Sequence, residues 1–311
     1  MMEMLRALAL CAALAGCAHP KPPPAAPHAV AAPAPEPPRQ HGERGADRPV
    51  PLPHRIVDQP GTSVEETAFP DRLRAARVIY VGEQHTSPHD HAAELEVLER
   101  VFAADPSVGI GIEMLPRTLQ PALDAWLAGE LDEAAFLEKV EWKKTWGYAF
   151  GLYAPLLRFC KAHKLRGFAL NAPREIVRAL AHGDELTPEQ KQLLPDMVPG
   201  PAAHRELVRE AWGGHPHGRF ADARFERFYR AQLLWDETMA DRVAAALTGP
   251  GAPKRLVVFA GEAHVRRFAV PDRAARRGAR PYLTILPVLE ADLADARADN
   301  SADLYWVLEM P

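Results

Sequence analysis

The chain has little cysteine, little net charge and none of the common catalytic signatures. Three cysteines in 311 residues, Cys11, Cys17 and Cys160, cannot make a disulfide framework. Cys11 falls in a segment expected to be removed and Cys17 is expected to carry a lipid, so Cys160 has no partner and no disulfide is predicted within the mature domain. A formal net charge of -4 leaves no basic surplus, and nothing points to nucleic acid. There is no HExxH helix, no Gly-x-Ser-x-Gly elbow and no Walker loop, which disfavours a zincin, a serine hydrolase and a P-loop NTPase. What is present is 47% hydrophobic and 25% charged, the balance of a soluble globular protein.

The N-terminus reads as an address. Residues 1–16 carry Arg6, an apolar stretch over 7–14 and the small pair Ala15-Gly16, which is the form of a secretory signal. The stretch is too short to span a bilayer. Leu14-Ala15-Gly16-Cys17 looks like a bacterial lipobox, in which cleavage leaves Cys17 as a lipidated N-terminus. An ordinary signal peptide that contains a cysteine is the alternative. Ala18 follows, not Asp, which by resemblance to lipoprotein sorting in enteric bacteria favours the outer membrane of a Gram-negative cell. Twelve of the 31 prolines lie between Pro20 and Pro53. Residues 17–54 are therefore expected to be an extended anchor and linker, with His19, His28, His41 and His54 scattered along a solvated tether. At about 3 Å per residue it reaches on the order of 100 Å.

The folded domain is expected over residues 55–311. It is organised around one stretch and its echo. The apolar run 78–81 is followed by Gly82-Glu83-Gln84-His85, and the run 256–260 by Gly261-Glu262-Ala263-His264. Short runs rich in β-branched residues suit strands buried on both faces of a sheet. Glycine then allows a sharp exit, which leaves Glu and His at the carboxyl end, where open parallel sheets bind ligands. Further strands are expected at 108–112, 166–170, 282–286 and 304–308. Ser87 and Pro88 predict a helix start that runs to about residue 103. Helices are also expected at 119–127, 132–140 and 153–164, and in a long helical region over 173–247. That region places Gln232, Asp236 and Met239 on one helix face and contains a His-bearing loop at 213–218. The fold class is α/β, with a mostly parallel central sheet flanked by helices and a helical insertion.

Side by side, these strand ends offer Glu83, His85, Glu113, Asn171, Glu262 and His264. Three carboxylates and two imidazoles are enough to hold a divalent cation such as Mn, Fe, Co or Zn. They are equally enough for an acid/base pair acting on an ester or amide. Both readings put His85, Glu113 and His264 around one cleft, within about 10 Å of one another. Plainer readings stand beside them. Glu83 and Glu262 can simply bond backbone amides at their turns. His89 and His91 are expected on an exposed helix start. Trp142, Trp146, Tyr148 and Tyr153, like Met114 and Met239, have ordinary roles as core packing, and Cys160 as a buried apolar group.

Six motifs together carry a resemblance: GEQH at 82–85, IGIEML at 110–115, YAPLLRF at 153–159, FALNAPR at 168–174, AQLLWDETMA at 231–240 and VVFAGEAH at 257–264. With them the sequence resembles the ChaN-like haem-binding uptake proteins of the Tiki/TraB/erythromycin-esterase superfamily, over nearly all of residues 78–286. The resemblance implies haem or iron handling at the cell envelope, through acquisition or storage. It implies a cofactor site at Glu83, His85, Glu113, Tyr153, Glu262 and His264, with Tyr153 as an axial candidate. An aromatic wall over 142–153 and the basic Lys143 and Lys144 would receive the ring and its propionates. No CxxCH is present, so haem would not be attached covalently. Hydrolytic superfamily relatives imply the alternative of a metal-dependent hydrolase acting through His85, Glu113 and His264. The expected partners are haem or another small molecule and, through the lipid anchor, the membrane. A homodimer is an open alternative for the assembly.

Overall fold

The computed structural model describes residues 52–213 and 221–309. The signal, the lipidation site and nearly all of the tether lie outside the described residues, as does the His-bearing loop from 214 to 218. Eight strands form one sheet: β1 (His54–Asp58), β2 (Ser63–Val64), β3 (Val78–Glu83), β4 (Val108–Pro116), β5 (Arg166–Asn171), β6 (Arg255–Gly261), β7 (Tyr282–Leu289) and β8 (Leu304–Leu308). Their spatial order is β2-β1-β8-β7-β3-β6-β4-β5. The strands from β8 to β5 pair in parallel, and at one edge β1 pairs antiparallel with both β8 and β2.

The alternation of the central strands explains the layers. In β3, Ile79 and Val81 face one hydrophobic cluster while Val78 and Tyr80 face another. A strand buried on both sides needs a continuous apolar run, and that is what the sequence shows. The first face is covered by α1 (Phe69–Ala75), α2 (Pro88–Ala104), α3 (Gln120–Ala128), α4 (Glu133–Lys139), α5 (Trp142–Thr145) and α6 (Phe150–Ala162). Next come α7 (Arg174–His182), α8 (Pro188–Gln192), α9 (Ala202–Gly213) and α10 (Ala221–Ala246). The second face is covered by the C-terminal half of α10 together with α12 (Val270–Arg276). The N-terminal half of α10 packs instead on α7 and α9, forming the helical insertion. Two short helices complete the chain, α11 (Glu262–Val265) directly after β6 and α13 (Leu293–Ala298) before β8. Among the described residues no helix is long and apolar enough to cross a membrane.

Three details depart from the sequence reading. The sheet begins at His54, whose ring stacks on Trp306 at 3.8 Å, so this histidine belongs to the fold and not to the tether. A five-residue strand following a proline-rich stretch carries too little pattern to stand out. β4 continues beyond Ile112 to Pro116, with a register shift against β5, so Glu113 lies inside a strand and not after one. His91 is buried, not exposed on the helix start, because its turn of α2 faces α6 and the sheet.

Candidate ligand-binding cleft

β3 and β6 are adjacent and parallel, with Glu83 opposite Gly261, so the two Gly-Glu-x-His tetrads leave the sheet side by side. The chain goes from β3 towards β4 and β5, and from β6 back past β3 to β7. Such a reversal of strand order is where open α/β sheets leave a crevice. Beside it, the first turn of α2 holds the first tetrad in place. Ser87 caps the helix by accepting from Asp90 N–H at 3.2 Å, and Asp90 in turn accepts from Gln84 N–H at 2.8 Å and from the Ser87 hydroxyl at 2.7 Å.

His85, Glu113 and His264 meet at one point. Glu113 accepts from Gly261 N–H at 2.8 Å, and its other oxygen lies 3.5 Å from His264 Nε2. A methyl group added at Gly261 would lie 2.8 Å from His85 Cε1, 3.3 Å from its Nε2 and 3.6 Å from Glu113 Oε2. Gly261 therefore floors a small cradle between the two. Asn171 supports it from β5, donating to the Glu113 carbonyl at 2.9 Å.

The tetrads are twins in sequence only. His85 Nδ1 is hydrogen-bonded to Glu83, the glutamate of its own tetrad. His264 Nδ1 bonds Asp236 of α10 at 2.6 Å, while Glu262 stands half-buried at the start of α11. Glu83 thus serves its histidine and not a turn amide, and the corresponding part for His264 is taken by Asp236 and not by Glu262. Both carboxylates lie on Nδ1, which leaves each Nε2 for the cleft.

Burial and the surrounding acids set the protonation. Burial pulls His264 down, but Glu113 and Asp236 outweigh it and push it up to about 9. For His85 burial also acts downward, and the hydrogen bond and charge of Glu83 raise it nonetheless. Beneath the site a second buried group extends inward. His91 bonds Glu94 at 2.8 Å and lies 4.0 Å from Glu83. Burial lowers His91, yet Glu94 carries it up to about 9, while burial raises Glu94 to about 7 and Asp90 to about 6.

The aromatic segment divides in two. Trp146 and Tyr148 lie against the His85 ring, with centroids at 4.8 and 4.7 Å. Trp142 and Tyr153 are buried behind them. Tyr153 packs on His91 at 4.4 Å and donates to the His85 carbonyl at 3.4 Å, and burial raises its phenol well above the ordinary range. It supports the tetrad from below, so Tyr148 is the tyrosine against the His85 ring. Trp235 approaches His264 edge-on at 6.2 Å. Lys143 and Lys144 are exposed on α5, and Lys144 is paired with Glu141 at 2.8 Å.

Among the described residues no three His, Cys, Asp or Glu side chains are arranged to hold a metal ion, and the divalent-cation alternative is not supported. Cys160 is a buried free thiol.

A family model described as haem-binding uptake, Tiki superfamily, ChaN matches residues 69–273. Among solved structures, ChaN of Campylobacter jejuni with cofacial haem superposes with a TM-score of 0.66 at 14% identity, covering 84% of this chain and 100% of that one. That likeness shows the fold. An erythromycin esterase EreC mutant in its open conformation scores 0.44 at 15% identity, covering 76% and 77% of the two chains. The type III effector HopBA1 scores 0.41 at 14%, covering 76% and 88%. At those scores neither bears on this chain's chemistry. No curated protein matches it.

Proposed function

This chain belongs to the haem-binding uptake family of ChaN in the Tiki superfamily, and on that premise we propose that it is a haem-binding protein of the cell envelope that acquires or stores haem. The observation that carries the reading is His85, a ring with its Nδ1 fixed, its Nε2 directed to the Gly261 cradle and Trp146 and Tyr148 packed beside it. An imidazole nitrogen beside aromatic surface is the donor chemistry an iron porphyrin takes. Bound there, haem would supply an iron centre. His85 would offer the nitrogen donor and, deeper, His264 a charged N–H, with Trp146 and Tyr148 as apolar surface and Lys143 as a cation for a propionate. The acidity of the tetrads is less of an obstacle than it looks in the sequence. Glu83 is matched by His85, and Glu113 by the Gly261 amide and by His264, which is held protonated to about 9.

Haemin titrated into protein lacking residues 1–51 is expected to give a saturable Soret shift at micromolar concentration that His85→Ala weakens at least tenfold. Absence of any saturable shift sinks the reading. Lipidation of Cys17 belongs to the same proposal. The mature native protein is expected to carry a diacylglyceryl mass on Cys17, and mass spectrometry finding an unmodified Cys17 removes the anchor.

A second reading rests on the same geometry. Two imidazoles, each backed by a carboxylate at Nδ1 and converging through Nε2, are placed as an acid/base pair for ester or amide hydrolysis. Turnover of an activated ester by haem-free protein, lost in both His85→Ala and His264→Ala, is the result expected of it. Turnover that survives either substitution discards it.

A further inference from the structure

We infer that Asp236 of α10 and His204 of α9 are the positioning residues of His264, and that the helical insertion thereby sets which ring nitrogen the cleft receives. Both side chains are 2% exposed. The Asp236 carboxylate sits between two imidazoles, with His264 Nδ1 at 2.6 Å from one oxygen and His204 Nε2 at 2.7 Å from the other. An ionised carboxylate only accepts, so both rings donate N–H to it. The remaining nitrogen of His204 lies 3.2 Å from the Tyr229 hydroxyl, whose oxygen accepts from Gly200 N–H at 3.2 Å. With His204 Nε2 donating and its Nδ1 against the Tyr229 hydroxyl, both nitrogens of this ring are engaged. Of the four ring nitrogens only His264 Nε2 is left for the cleft, 3.5 Å from Glu113.

The packing around this ring is close. A methyl group on Gly200 would lie 2.5 Å from His204 Nδ1, so the backbone of the insertion presses directly on this ring. Arg273, fully buried, holds its Nε 3.8 Å from Asp236 and supplies the counter-charge. A buried polar array of this kind is weakly justified by stability alone, since well-packed apolar side chains of similar volume serve that purpose as well or better. What it adds is the orientation of one imidazole. Carboxylates that hold ligating histidines from behind act in this way, and their loss typically weakens binding 10–100-fold.

The inference rests on the cleft being a ligand site, and the experiment has two arms for that reason. The first uses ligand-free, ¹⁵N-labelled protein. Two far-downfield, slowly exchanging imidazole protons are expected, one on His264 Nδ1 and one on His204 Nε2, and both should be lost or moved upfield in Asp236→Asn. The second titrates haemin. Asp236→Asn and His204→Leu are expected to weaken it about 10–100-fold, and His204→Gln, which can still donate to Asp236, should recover most of the loss. If Asp236→Asn does not fold, the His204→Leu and His204→Gln comparison makes the same test. A wild-type spectrum without a hydrogen-bonded His264 Nδ1 proton overturns the inference, as does equal haemin affinity in His204→Leu and wild type. Failure of wild type to bind haemin defeats the proposed function instead, and the proton spectrum then decides the positioning by itself.

Discussion

Gly261→Ala tests the cleft with a single methyl group. Its backbone, at φ -51° and ψ 143°, is one that alanine adopts freely, so any effect comes from space. The new Cβ would lie 2.8 Å from His85 Cε1, where ordinary contact begins at 3.4 Å, so the ring must retreat by about half an ångström. It has nowhere to go without loss. Its Nδ1 is tied to Glu83, Trp146 and Tyr148 pack beside it, and its carbonyl accepts from Tyr153. Overpacking of this kind costs about 1–3 kcal/mol. Breaking the buried Glu83 bond to relieve it costs about the same again. Urea unfolding should therefore report about 2 kcal/mol of lost stability, and haemin titration at least a tenfold weaker affinity, about 1.4 kcal/mol. Gly151→Ala is the control. It is an exposed position on α6 with nothing within 4 Å, so alanine there should stabilise by about 0.5–1 kcal/mol. A Gly261→Ala protein with wild-type midpoint and wild-type haemin affinity would show that His85 is not held as described.

Three further outcomes follow from the buried charges. Asp90, Glu94, His91 and His264 are all raised, to about 6, 7, 9 and 9 from ordinary values of 3.8, 4.5, 6.5 and 6.5. The folded state then holds more protons than the unfolded one from about pH 4 to 9, so stability is greatest on the acid side and falls as pH rises through that window. Asp236 acts oppositely, since burial raises it but the bonds from His204 and His264 hold it well below the carboxylate range, and its contribution is lost only in strong acid. Melting temperature measured from pH 5 to 9 should decline, and a steady rise refutes the assignment. Iron ligation through His85 needs an unprotonated Nε2, so haemin affinity should strengthen from pH 6 to 9. A flat profile removes His85 as the ligand. Arg273→Met should cost about 3 kcal/mol in denaturant unfolding. It strips the fully buried Glu237 of one partner, leaving Arg277 at 2.7 Å and Arg276 at 3.2 Å, and it removes the counter-charge of Asp236. A loss under about 1 kcal/mol would mean those arginines suffice.

How much of the site was legible depends on the reach of each signal. The strand runs, the glycine exits and the Ser87-Pro88 helix start are local patterns, and the strands and helix lie where those patterns predict them. The convergence of His85, Glu113 and His264 was also legible, because parallel strands carry their ends to one edge whatever their exact order. Asp236 was visible only as one of three residues on a helix face, with no sign that two histidines would clamp it. His204 gave no signal at all, since a lone histidine 32 residues from its partner has no pattern to belong to. The same limit hid the burial of His91, which reads as a polar residue on a first helical turn until α6 is laid across it.

The sequence alone therefore determined the class of the fold, the family, and the place where chemistry gathers. The first and the last are consequences of periodicity and of backbone exits, which act over a few residues, and the family follows from the resemblance that the six motifs carry. The tertiary structure alone decided which carboxylate serves which histidine. Glu83 reaches His85 within its own tetrad, but Glu262, its counterpart in sequence, is turned aside because β6 runs straight into α11, and Asp236 takes the place from a different helix. A buried imidazole takes whatever acceptor the packed neighbours bring within about 3 Å, and that is a property of the assembled layers that no stretch of chain carries by itself.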